Sequence, residues 1–280
     1  MNKLKPMISF LTAIAGGYLL ILVLMFLFQN KLLFMPTSGF VQTPQSAGLE
    51  AEDFWVETDD GVRIHGWYFP NDEAEFVVVL SHGNAGNISY RIDIARTLLD
   101  AGASVLMYDY RGYGQSDGRP NERGLYKDIE AVVEGLKSEK GYAENRIIMY
   151  GRSLGGAVAA YAGTEYNLGG LVLDSAFINL RAMVRDVYPF VPSRLARYEF
   201  STENYLMHSR NYPVMIMHSQ NDEIVRYHHG RELYELLNEP KRFVELRGGH
   251  NDNFFASRDI ILESWRWYLG EIVRNTEATQ

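Results

Sequence analysis

Ser153 stands at the centre of Gly151-Arg152-Ser153-Leu154-Gly155, where an apolar run ending at Tyr150 gives way to a helical pattern. A serine on a tight strand-to-helix turn takes strained backbone angles. Side chains two residues before and after it would collide with the turn, which accounts for the glycines. Such a turn exposes the hydroxyl oxygen at a helix N-terminus, where backbone N–H groups can hold a developing negative charge. A nucleophilic serine needs a base, and the base needs an orienting carboxylate. His250 follows the last predicted strand in Arg247-Gly248-Gly249-His250, and Asp222 follows the strand predicted over 214–218. Ser153, Asp222 and His250 each lie just past the C-terminal end of a different strand, where parallel sheets bind ligands. These three are the expected catalytic residues. Ser81-His82-Gly83-Asn84-Ala85-Gly86-Asn87 ends a further strand, and its glycines let N–H groups converge on an oxyanion. The N–H groups of Asn84 and Leu154 are the expected donors.

Other residues compete for these roles. Asp174 also ends a strand and could replace Asp222, although the Ser-Ala-Phe after it leads into a long connection. Asp109 ends a strand too, but Tyr110-Arg111-Gly112-Tyr113-Gly114 gives it the look of a structural turn. His218 falls inside a predicted strand and reads as a core histidine, and His82 as a structural hydrogen-bonding group. His228 and His229 are adjacent on a predicted helix rather than four apart, so they are not expected to share one face as metal ligands do. There are no cysteines and no zincin motif, and neither a metal nor a cofactor is expected.

The elements that must position these groups can be read from the pattern. Residues 53–57 and 62–69 alternate around Asp59-Asp60-Gly61, a strong hairpin signal. Apolar runs at 76–80, 104–108, 146–150, 170–174, 214–218 and 243–246 then alternate with helical patterns over 88–100, 121–137, 154–166, 225–237 and 260–273. Short buried strands alternating with helices predict an α/β fold: a mostly parallel sheet with helices on both faces and right-handed crossovers. The connection between Asp174 and Val214 is too long for this rhythm. It reads either as a lid over about 178–212 or as one crossover helix with ragged ends.

Two features lie outside this core. Residues 7–28 are uncharged and almost wholly apolar, and as a helix would span roughly 33 Å, matching a hydrocarbon core about 30 Å thick. No cleavage site follows Phe28, so 1–30 reads as an uncleaved single-pass membrane anchor rather than a signal peptide. Residues 31–50 read as a linker and 51–275 as the catalytic domain. Lys3 and Lys5 precede the span and only Lys31 follows it closely, which leans the domain toward the non-cytoplasmic side. The net charge of -8, with no basic cluster, argues against nucleic-acid binding. At 280 residues the chain has room for one large domain.

From about Asp53 onward the sequence resembles the alpha/beta-hydrolase superfamily. The motifs in that family's order are His82-Gly83-Asn84-Ala85-Gly86, Asp109-Tyr110-Arg111-Gly112-Tyr113-Gly114, Gly151-Arg152-Ser153-Leu154-Gly155, Asp222 and Gly249-His250. With its anchor and short lid the chain is similar to small membrane-anchored serine hydrolases of the bud-emergence type, a group including lipid hydrolases and protein depalmitoylases. The resemblance implies Ser153 as nucleophile, Asp222 as acid, His250 as base, and Asn84 and Leu154 as oxyanion donors. Arg152 departs from those depalmitoylases that have an uncharged residue there. The implied reaction is cleavage of a carboxylic ester or thioester, lipid or acyl-protein in type. A peptidase or acyltransferase of the same fold, and a non-catalytic membrane-bound scaffold, are the alternatives.

Overall fold

A computed structural model describes residues 4–210 and 212–277. Lys3, which bears on orientation, lies outside the described residues. The chain opens with α1 (Leu4–Leu27) and a short α2 (Gln29–Leu33). Ten strands follow in order: β1 (Met35–Pro36), β2 (Glu52–Glu57), β3 (Arg63–Phe69), β4 (Val77–Ser81), β5 (Ala85–Gly86), β6 (Ser104–Tyr108), β7 (Ile147–Arg152), β8 (Gly170–Asp174), β9 (Val214–Ser219) and β10 (Lys241–Leu246). Eight of them form one sheet in the order β10-β9-β8-β7-β4-β6-β3-β2. Neighbours from β10 through β4 to β6 are parallel, whereas β3 runs antiparallel to β6 and β2 to β3. This is the α/β architecture that the alternation of apolar runs predicts.

Period two explains how one sheet serves two cores. Val77 and Val79 face one hydrophobic cluster, while Val78 and Leu80 face the other. On the first side pack α4 (Glu122–Glu139), α5 (Leu154–Glu165), α7 (Thr202–Met207) and α8 (Tyr227–Leu236). On the second pack α3 (Ile92–Asp100) and α10 (Arg258–Glu277), which contributes Trp265 and Tyr268. The helix predicted from 88 begins with a 3-10 turn over Ile88–Arg91. Asn87 accepts from the Ser89 N–H and Asp109 from the Ile88 N–H, and these side chains fix that turn.

The long connection is two helices, not one. It holds α6 (Leu180–Val187), then a 3-10 turn at Ser193–Leu195, then α7. Asn179 caps α6 by accepting from the Ala182 N–H, and Pro189 and Pro192 forbid its continuation. Last in the chain order before α10 comes α9 (Asn253–Ala256), directly after the loop that carries His250.

At the other end, the span Met7–Leu27 has a mean hydropathy of 2.5 and is long enough to cross a membrane. Residues after it lie along the domain rather than apart from it: β1 pairs with β5, and Phe34 is buried in the first core.

Candidate active site

The turn between β7 and α5 holds Ser153 at φ 52 and ψ -118, a conformation that costs a residue with a β-carbon about 1–3 kcal/mol. Its neighbours make the turn possible. A β-carbon on Gly151 would strike the Gly155 carbonyl, and one on Gly155 would strike the Ser81 carbonyl at the end of β4. The backbone is pinned from both sides, with the Ser153 N–H donating to the Asp174 carbonyl at 2.9 Å and the Gly156 N–H to the Ser153 carbonyl at 2.9 Å.

His250 is carried by the loop after β10. Its Nδ1 donates to Asp222 Oδ2 at 2.7 Å. The other carboxylate oxygen of Asp222 accepts from the N–H groups of Ile224 at 3.0 Å and Val225 at 2.7 Å, so both oxygens are committed. Burial pushes this carboxyl up, but the His250 hydrogen bond, electrostatic attraction to the His250 and His218 rings and the Val225 N–H outweigh it. The group sits below its ordinary value. Asp222 is therefore an anion at neutral pH, and in the neutral tautomer that donates to it from Nδ1, His250 has Nε2 free to accept a proton.

Ser153 and His250 line the same cavity, of about 300 Å3, together with Asn84, Arg91, Phe177 and Leu180. No hydrogen bond joins the Ser153 hydroxyl to the His250 ring, a looseness common before substrate binds. Gly83 approaches the serine closely: a β-carbon there would stand 3.7 Å from that of Ser153. Asn84 is held by its own carbonyl, which accepts from the Met35 N–H at 3.0 Å and the Tyr113 hydroxyl at 2.8 Å. Its side chain donates to the Leu33 carbonyl at 2.8 Å. Leu154 is the first residue of α5, so its N–H has no acceptor within the helix.

A family model described as serine aminopeptidase, S33, matches residues 72–199. An uncharacterised protein of Mycobacterium tuberculosis is 34% identical over 95% of this chain and 95% of its own length. The alpha/beta hydrolase domain-containing protein WAV2 of Arabidopsis thaliana is 29% identical over 91% and 92%. An uncharacterised membrane protein of Saccharomyces cerevisiae is 31% identical over 84% and 89%. Among solved structures, an esterase of Pyrococcus furiosus superposes with a TM-score of 0.70 at 24% identity, covering 87% of this chain and 98% of that one, a likeness of fold. The chain belongs to the alpha/beta-hydrolase superfamily.

The hydrolase ties its rival residues into other work. Asp174 is buried and accepts from the Tyr150 hydroxyl at 2.9 Å and from Arg152 at 2.9 Å, which leaves it no free approach to His250. Asp109 is buried behind the β4 loop, with His82 Nε2 at 3.4 Å; His82 itself donates from Nδ1 to the Gly83 carbonyl. His218 donates to the Val225 carbonyl at 2.8 Å, lies 3.6 Å from Asp222 and is fully buried. Burial lowers its pKa despite that carbonyl and the Asp222 charge, so it stays neutral.

The reading of His228 and His229 needs correction. Their rings stack with centroids 4.3 Å apart and converge on Asp186 of α6, all three ligand atoms lying within 4.8 Å. They sit in the first turn of α8, where side-chain rotation overrides the i,i+4 rule. The chemistry does not suit a cation, however. His229 Nδ1 accepts from the Ile178 N–H at 3.3 Å, so in the neutral ring Nε2 holds the proton and has no lone pair to give.

Sequence reasoning missed the scaffold of the hydrolase site. Arg152 donates to Asp174, to the His250 carbonyl at 2.5 Å and to Asn253 at 2.9 Å, while Asn253 donates to the Ser175 hydroxyl at 2.8 Å. Burial disfavours the Arg152 charge, but Asp174 and Tyr150 more than restore it and raise its pKa. Glu223 accepts from the His250 N–H at 3.0 Å. Arg152 and Asp174 are the last residues of adjacent strands and face each other in register, a relation that only the folded sheet reveals.

Proposed function

We propose that this hydrolase is a membrane-tethered serine esterase or thioesterase, with Ser153 as nucleophile, His250 as general base and Asp222 as the carboxylate that orients it. His250 Nε2 takes the Ser153 proton as the hydroxyl oxygen attacks the acyl carbon. The tetrahedral oxyanion is held by the N–H groups of Asn84 and Leu154, aided by the α5 N-terminus. As the carbon–oxygen or carbon–sulfur bond breaks, the proton passes from His250 to the leaving alcohol or thiol. Water, deprotonated by His250, then attacks the acyl-serine and frees the acid. No cofactor or metal enters these steps.

The observation that carries the reading is the Asp222–His250 hydrogen bond of 2.7 Å beside a serine held at a positive φ in the same cavity. The ester class is favoured over an aminopeptidase because the cavity lining includes Arg91 and Arg152 and no carboxylate to receive a substrate ammonium. In this reading α1 anchors the hydrolase, residues 178–212 form its lid, and the domain lies on the non-cytoplasmic side. Hydrolysis of p-nitrophenyl butyrate by the full chain tests it. The Ser153→Ala variant should lose at least about a thousandfold in kcat; wild-type rates from that variant would refute the assignment.

A further inference from the structure

The end of α1 and the start of α2 are joined to the lid. Across residues 7–27 only Leu22 and Met25 are half-buried, and both face the segment after α6. The Tyr18 hydroxyl donates to the Phe190 carbonyl at 2.6 Å, Gln29 to the Leu195 carbonyl at 2.7 Å, and the Arg197 N–H to Gln29 at 2.8 Å. Tyr18 lies nine residues before the end of α1, about 13 Å along its axis. With α1 in a bilayer, the lid tip beside Tyr18 is held against the membrane surface layer, at the headgroup–acyl boundary. Its composition fits that place: Val187, Tyr188 and Phe190 are exposed, an apolar patch that is unfavourable in water and favourable against a membrane interface.

Between α1 and the lid is an apolar cavity lined by Leu22, Met25, Phe26, Val184, Tyr188 and Val191. Leu33 and Leu180 line this cavity and also the one that holds Ser153 and His250. The two spaces thus share a wall made by Leu33 and Leu180, with Tyr188 and Val191 on the membrane-proximal side and the serine on the other.

We propose that this cavity is the acyl-chain site of the hydrolase, filled sideways from one leaflet between α1 and the lid, with Leu33 and Leu180 passing the chain to Ser153. The inference rests on the membrane-tethered esterase reading and adds the substrate class: an ester or thioester of a long, bilayer-borne acyl chain. A hydrocarbon is the occupant that the apolar walls and the lipid-facing mouth admit without leaving a polar group unpaired.

The test uses the full chain in lipid nanodiscs and compares kcat/KM for p-nitrophenyl palmitate and p-nitrophenyl butyrate. Val184→Trp fills the cavity from the lid and Leu22→Trp fills it from the anchor; fluorophosphonate labelling reports that each variant is folded. Each variant should lower the palmitate-to-butyrate ratio at least tenfold. A ratio unchanged in both labelled variants overturns the acyl-chain site and leaves the esterase reading standing. A wild-type chain that hydrolyses neither ester and takes no label overturns the esterase reading, and the acyl-chain site falls with it.

Discussion

Asp222 meets His250 with one oxygen only. Its Oδ2 accepts from His250 Nδ1 at 2.7 Å, while Oδ1 is held by the Ile224 and Val225 N–H groups. The carboxylate is thus fixed by backbone before it orients the imidazole, and the ring is left with Nε2 toward the cavity. In Asp222→Asn the amide would favour the wrong imidazole tautomer without disturbing the turn. The kcat for a short ester should fall by about 10⁴, the loss seen when a triad carboxylate becomes an amide. Thermal unfolding followed beside the assay should show the variant still folded at the assay temperature. A rate within tenfold of wild type would remove Asp222 from the mechanism.

Arg152 is a positioning residue whose loss should be felt in both stability and rate. Arg152→Met leaves Asp174 buried and unpaired, which costs about 3–5 kcal/mol, and frees the carbonyl of His250. Adding Asp174→Asn removes the stranded charge, so the double variant should regain part of the stability in denaturant titrations. It should not regain kcat/KM, because the tie to the His250 loop stays broken. Full recovery of rate in the double variant would reduce Arg152 to a structural ion pair.

The strain at Ser153 should be measurable. Glycine tolerates φ 52, so Ser153→Gly should be about 1 kcal/mol more stable than Ser153→Ala, and both should be inactive. Equal midpoints for the two variants would mean the elbow stores no strain.

A pH dependence is built between α6 and α8. His228 donates to Asp186 at 2.6 Å and to Glu232 at 2.9 Å, and Asp186 also faces buried His229 and the charge of Arg226. Partial burial disfavours the His228 charge, but the two carboxylates outweigh it and raise its pKa. Burial and the neighbouring His228 charge hold His229 down to about 4, so His229 does not titrate near neutrality. A raised histidine pKa means the link is complete below the ordinary value and is lost as pH rises through the raised one. Asp186, held below its ordinary value, sets the lower limit, since the link fails as pH falls through that lowered value. Hydrogen exchange in 180–190 should therefore be slower at pH 6 than at pH 9 after correction for intrinsic rates. His228→Gln should abolish the difference, and an unchanged difference in that variant would place the switch elsewhere.

Local grammar made much of this legible. The β7–α5 elbow could be read because Gly151 and Gly155 answer steric demands of the turn itself, and the strands because burial on both faces demands unbroken apolar runs. What escaped depends on register and on contacts distant in sequence. The Arg152–Asp174 pairing exists only once β7 and β8 align. The Asp186–His228–His229 cluster was hidden because one member comes from α6 and two share a first helical turn, where spacing is a poor guide to side-chain direction. The connection between β8 and β9 holds two helices interrupted at Pro189 and Pro192, a signal present in the sequence but compatible with ragged ends as well.

The central claim is that Ser153 is the nucleophile and that His250 activates it. Mapping a fluorophosphonate adduct by peptide mass spectrometry on the full chain in nanodiscs tests this most directly. The expected result is one adduct, on Ser153, formed at least a hundredfold more slowly in His250→Ala. A folded chain that stays unmodified, or an adduct on another residue, would contradict it.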